Sequence, residues 1–197
     1  MPRHVDYYVF LNSPFTYLGS QRFEEAVKRH GASVTIWPMD WRLLFAAGGM
    51  PSGSKQRQAY FRMELKRWRD RLGVKLNLTP KYFTSDELPA AKCVVALREQ
   101  GRMEEAIAVA HAVLRGVWAE DKNPGDPDTV RDIVASCGLD ADAVMKAAEA
   151  PELAGKREAY TRHAIARNVF GAPSYVIDGE IFWGQDRLDF VERKLSS

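Results

Sequence analysis

The segment Val5-Asp6-Tyr7-Tyr8-Val9-Phe10 is rich in β-branched and aromatic side chains and predicts a strand. Leu11-Asn12-Ser13-Pro14 reads as the turn that follows it. Between positions 15 and 30 the apolar residues Phe15, Leu18, Phe23, Ala26 and Val27 recur at helical spacing, and Gly31 stands where a helix C-cap would. Positions 33–37 alternate as a second strand, which Pro38 ends. The first forty residues therefore give β-α-β, two parallel strands joined by a right-handed crossover.

The pattern then changes to a helical period. Helices are expected at 39–47, 56–71, 89–101 and 102–118, with a Gly- and Ser-rich loop at 48–54. Asp126-Pro127 is a cap followed by a first-position proline, opening a helix that stops at Gly138. Two more follow at 140–150 and 151–168. The end of the chain returns to β structure. Ser174-Tyr175-Val176-Ile177 and Glu180-Ile181-Phe182-Trp183 flank Asp178-Gly179, the strongest two-residue hairpin signal. A last amphipathic helix covers 185–195. The two ends together, β-α-β and β-β-α, have the element order of a thioredoxin fold. The fold class is α/β, with a core from 1–38 and 169–197 and an inserted all-helical domain at 39–168.

Composition narrows the field. The 197 residues are 46% apolar and 27% charged, which excludes a disordered chain or a collagen-like repeat. A net charge of +2 gives no global argument for nucleic acid or an anionic membrane. The basic stretch through Lys55, Arg57, Arg62, Lys66, Arg67, Arg69 and Arg71 reads as a solvated helix face rather than a nucleic-acid surface. No apolar run approaches the ~20 residues of a membrane span, and a cytoplasmic protein is expected. Cys93 and Cys137 form no CxxC pair, and the four histidines show no metal-ligand spacing. GxGxxG, P-loop and GxSxG motifs do not occur, which removes support for dinucleotide binding, P-loop chemistry and the hydrolase elbow.

Three segments carry candidate chemistry. Asn12-Ser13-Pro14-Phe15 opens the first helix, where unpaired N–H groups and the dipole favour an anion. Ser13 is either an N-cap alone or a donor to a ligand anion. A dithiol of this fold would sit here, but no cysteine is near, so any reactive thiolate comes with the ligand. Gly171-Ala172-Pro173-Ser174 precedes a strand. Pro173 is either a plain loop residue or the second residue of a cis bond that turns the Ala172 backbone toward a ligand. In Trp183-Gly184-Gln185-Asp186-Arg187-Leu188, Gly184 permits a sharp turn into the last helix. Gln185 or Asp186 is either the N-cap or a first-turn residue of that helix, or this second helix N-terminus binds a ligand's carboxylate or amino group.

Taken together, the segments 10–18, 169–174 and 182–188, with Tyr60 and Arg67-Trp68 between them, resemble 2-hydroxychromene-2-carboxylate isomerase. That family is a close relative of kappa-class glutathione transferases within the DsbA-like thioredoxin superfamily, and the similarity spans essentially the whole chain. The resemblance implies glutathione as cofactor, a small aromatic keto acid as substrate and a homodimer. It places the reactive serine on Ser13 and the glutathione-binding backbone on Ala172 before a cis Pro173. It places the γ-glutamyl contact on Trp183, Gly184, Gln185 and Asp186, and a substrate-side tyrosine on Tyr82. Where family members often carry a substrate-facing lysine and asparagine, this chain has Phe45 and Gly49. The implied reaction interconverts 2-hydroxychromene-2-carboxylate and trans-o-hydroxybenzylidenepyruvate. A glutathione-consuming kappa-type transferase or peroxidase and a non-catalytic glutathione-binding protein are the alternatives.

Overall fold

The computed structural model describes residues 3–48 and 53–197. Strands β1 (His4–Val9), β2 (Ser33–Pro38), β3 (Ser174–Ile177) and β4 (Glu180–Trp183) form one sheet in the order β2-β1-β3-β4. β1 pairs parallel with β2, with Tyr7 opposite Ile36, and antiparallel with β3, with Tyr7 opposite Tyr175. The crossover between β1 and β2 is α1 (Pro14–His30), closed by Gly31 in the left-handed conformation with φ 61°. β3 and β4 form the hairpin, and both turn residues have positive φ, Asp178 at 53° and Gly179 at 82°. Those are the backbone angles that the two-residue hairpin turn demands. Pro38 is tolerated in the sheet because β2 is an edge strand.

The helical stretch comprises α2 (Trp41–Ala46), α3 (Lys55–Leu72), α4 (Leu88–Glu99), α5 (Met103–Ala119), α6 (Pro127–Ser136), α7 (Ala141–Ala148) and α8 (Glu152–Ala166). Asp40, Asp126 and Asp140 cap α2, α6 and α7 through their carboxylates, and Ser54 caps α3. The expected last helix is divided. Residues Gln185–Arg187 form a 3-10 turn, and α9 (Leu188–Ser196) follows.

Alternation along β1 sorts the core. Val5, Tyr7 and Val9 face one side, packed with Phe23 of α1, Val191 of α9 and the apolar faces of α4 and α5. Tyr8 faces the other side, packed with Met39, Leu44 and Ala164. A strand covered on both faces reads as a nearly continuous apolar run, as β1 does. The helical stretch thus shares its core with the sheet. A third cluster joins Leu18 of α1, Leu65 of α3 and Trp118 of α5, all buried. Each such side chain contributes about 1.5–3 kcal/mol of burial, and together they fix α3 alongside α1. The gap between α3 and the strand ends is the cleft described next. Among the described residues no helix is long and apolar enough to cross a membrane.

Candidate active site

A cleft of about 610 Å³ lies above the N-terminus of α1. Ser13 is the N-cap of that helix. Its Oγ accepts from the Thr16 N–H at 3.2 Å and donates across the cleft floor to the Ala172 carbonyl at 3.4 Å. The preceding turn is held by Ser13 N–H to Phe10 O at 3.1 Å and by the Trp118 indole N–H to Asn12 O at 3.1 Å. Pro14 occupies the first helical position, where its missing N–H leaves nothing unpaired. Seventeen residues of aligned peptide dipoles end here, equivalent to roughly half a positive charge at the Ser13 end. The serine is 7% exposed, so water screens that charge little.

The Ala172–Pro173 bond is cis. The segment is tied down by the Gly184 N–H to Pro173 O at 2.9 Å and by the Ser174 hydroxyl to Gly171 O at 2.8 Å. The Trp183 indole lies on Gly171 so closely that any Cβ there would collide with it, and Phe170 meets its edge at 4.8 Å. Gly184 has φ 104°, and a Cβ would strike the Asp186 carboxylate folded over it. Only glycine meets both requirements. Asp186 pairs with Arg187 at 2.9 Å and makes no capping bond to the 3-10 turn or α9. Of the two structural readings, cap or first-turn residue, the structure has the second: Asp186 lies in the first turn, and Gly184, two positions earlier, holds the cap position. Gln185 is buried, with its side chain turned toward α1.

The opposite wall is aromatic. Phe10, Trp41 and Phe45 stand on one side, and Phe45 meets Phe10 edge-on at 5.7 Å. Tyr60, Phe61 and Trp68 of α3 stand on the other, with Phe15 edge-on to Phe61 at 5.6 Å. The charged lining groups are Arg57, Glu64, Asp186 and Arg187, and Glu64 is bound to Arg67 at 2.5 Å.

The structure thus brings Ser13, Ala172, Trp183, Gly184, Gln185, Asp186 and Phe45 to one cleft. Pro173 joins β3 directly behind Ala172. Tyr82 is not among the lining residues; its ring lies 5.0 Å from the Lys81 ammonium, and Phe83 and Thr84 of the same turn face the cleft instead. Gly49 lies outside the described residues. Neither cysteine lines the cleft. Cys93 is in the core, where burial pushes its thiol up to about 11. Arg57, expected on a solvated helix face, lines the cleft instead, and Phe61 and Glu64 join it beside Tyr60 and Trp68. The signal was present: positions 57, 60, 61, 64 and 68 recur at i, i+3, i+4, i+7 and i+11 on one helix face.

The model of the DsbA-like thioredoxin domain matches residues 4–196. The chain belongs to the DsbA-like thioredoxin family. Within this family it is 30% identical to a 2-hydroxychromene-2-carboxylate isomerase from Sphingobium xenophagum, covering 99% of both chains. It is similar to a solved 2-hydroxychromene-2-carboxylate isomerase with a TM-score of 0.80 and 25% identity, over 98% of this chain and 94% of that one. A further structure of the same fold is the cytosolic disulfide reductase DsbM from Pseudomonas aeruginosa with GSH, at a TM-score of 0.68 and 15% identity, covering 98% of this chain and 100% of that one. The isomerase relatives make this DsbA-like chain an enzyme of the isomerase class.

Proposed function

We propose that the cleft binds glutathione along the Ser13–Asp186 floor and an aromatic keto acid against the aromatic wall, and that the enzyme interconverts 2-hydroxychromene-2-carboxylate and trans-o-hydroxybenzylidenepyruvate. The observation that carries this reading is the Ser13 hydroxyl at a buried helix N-terminus, at the edge of an aromatic cleft with no cysteine in its lining. A DsbA-like protein without its own thiol there can use a thiolate that a ligand brings.

The residues fit that ligand. Ser13 Oγ has a weak, 3.4 Å acceptor in the Ala172 carbonyl, so its proton is available to a better acceptor above α1. The α1 N-terminus favours that acceptor as an anion. Ala172, which precedes the cis bond, lines the same floor. At the far end the backbone N–H groups of Gln185 and Asp186 suit a carboxylate, while those of Gly184 and Arg187 are spent on Pro173 O and Gly184 O, and the Asp186 carboxylate suits an α-amino group. The Arg57 guanidinium, on the α3 wall, suits a second carboxylate. When bound, glutathione supplies a thiolate whose reversible addition to the conjugated double bond of the keto acid makes that bond rotatable, and it is released unchanged.

The chain's own part is to bind, orient and keep charge in place. Ser13 and the α1 dipole hold negative charge at one point of the floor. Phe10, Phe45 and Phe61 offer ring faces and edges to the planar substrate. Phe45 stands where family members often carry a lysine, which makes this wall more apolar and directs the chain toward substrates held by stacking. An absorbance assay on 2-hydroxychromene-2-carboxylate, with and without glutathione, tests the reading. Conversion that depends on glutathione supports it, and no conversion under either condition overturns it.

A further inference from the structure

Arg22 does not line the cleft, yet it holds one end of it. Its Nη1 donates to Gln185 Oε1 at 2.9 Å and reaches the Gln185 carbonyl at 3.4 Å, while Nη2 lies 3.6 Å from the Asp189 carboxylate. A guanidinium only donates, so the orientation of the Gln185 amide is fixed: Oε1 toward Arg22, Nε2 away. Nε2 is buried with no partner, so Arg22 and packing hold this rotamer rather than a balanced set of hydrogen bonds. One turn before Arg22, α1 carries Gly19. A Cβ there would come within 2.8 Å of Gln185 Cβ and 3.1 Å of the Tyr175 hydroxyl. The helix backbone and the 184–187 turn are therefore in direct contact, with no room for a side chain between them.

This contact joins two elements with different tasks. Helix α1 presents Ser13 at its N-terminus, and the 184–187 turn presents the Gln185 and Asp186 backbone N–H groups and the Asp186 carboxylate. We propose that Arg22, Gly19 and Gln185 form a clamp that sets the spacing between these two ends of the cleft, which makes Arg22 a positioning residue for glutathione. The inference rests on the reading that the cleft takes glutathione. A tripeptide that must reach both ends is sensitive to their spacing. A substrate held on the aromatic wall is not. Arg22 acts through Gln185, so the two residues form one unit.

Calorimetric titration of glutathione into wild type, Arg22→Met, Gln185→Leu, the double variant and Arg22→Lys tests the clamp. Arg22→Met and Gln185→Leu should each weaken glutathione about tenfold, the scale of one charge-assisted hydrogen bond. The double variant should bind no worse than either single one, and Arg22→Lys should keep most of the affinity. In Arg22→Met, whose side chain does not line the cleft, the KM for the aromatic acid at saturating glutathione should not change. Thermal melts confirm that each variant is folded, and Arg22→Lys with Gln185→Leu carries the test if Arg22→Met is not. Wild-type affinity in the single variants, or losses that multiply in the double variant, overturn the clamp while leaving the glutathione reading intact. Absence of glutathione binding in the wild type overturns both.

Discussion

Replacing Ser13 with alanine removes one oxygen that serves two purposes, and the structure sets a size for each. As the N-cap, Ser13 Oγ accepts from the Thr16 N–H at 3.2 Å. Losing such a cap costs about 0.5–2 kcal/mol. For a chain of this length, 1 kcal/mol lowers Tm by roughly 2–4 °C. The bond to the Ala172 carbonyl is long, at 3.4 Å, and adds little to the fold. As donor to a bound thiolate, the same hydroxyl is worth about 1.5–3 kcal/mol, or roughly 10–100-fold in rate. The α1 dipole remains in the variant, so activity falls without vanishing. Ser13→Asn separates the purposes, because asparagine caps as well as serine but carries its donor on a longer arm. Melts paired with kcat/KM across the neutral and alkaline range form the assay. Ser13→Ala should lose both Tm and rate, with its acid limb moved to higher pH, because the thiolate has lost a stabiliser. Ser13→Asn should keep Tm and lose rate. Unchanged turnover of Ser13→Ala near neutrality, with an unmoved limb, refutes the reasoning and leaves Ser13 as a cap.

Three further outcomes follow from the same geometry. Asp186→Asn should weaken glutathione while leaving the melt unchanged, because the carboxylate caps nothing and its exposed pair with Arg187 is worth about 0–1 kcal/mol; equal affinity in a titration would reduce Asp186 to a partner of Arg187. Glu87→Ala strands the buried Arg157, which donates to Glu87 at 2.6 Å and to Met39 O at 2.9 Å, and should cost about 3–5 kcal/mol in urea unfolding. The double replacement Glu87→Leu with Arg157→Met should cost much less, and comparable losses would contradict that account. His163 stacks on Trp37 at 4.0 Å, and burial, then Arg167, hold its pKa below the ordinary 6.5. The unfolded chain therefore binds the proton first as pH falls, so stability is full above 6.5 and declines below it; His163→Gln should flatten that decline, and an unaltered profile would reject the assignment.

Much of this could be read along the chain because it depends on near neighbours. Gly31, Asp126-Pro127 and Asp178-Gly179 act within a few residues, and each ends, opens or turns an element as expected. Boundaries moved by a residue or two where helices fray. The last helix was less legible. Asp186 has the chemistry of a cap, but the positive φ of Gly184 turns the chain so that its carboxylate folds back over the glycine. Contacts between distant positions left no local trace. Nothing near Glu87 foretells Arg157 seventy residues on, and nothing near Arg22 foretells Gln185. Tyr82 illustrates the same limit on a smaller scale. Tyr82 itself is absent from the cleft lining, and its neighbours Phe83 and Thr84 are present in it.

Thiol accounting during turnover shows whether glutathione is needed and whether it is regenerated. Enzyme, excess 2-hydroxychromene-2-carboxylate and glutathione well below the substrate concentration are mixed, and free thiol is titrated as the absorbance of the keto acid changes. The account predicts many conversions per glutathione, an undiminished thiol count at equilibrium and no conversion when glutathione is omitted. Loss of one thiol for each substrate consumed, or full conversion without glutathione, would contradict it.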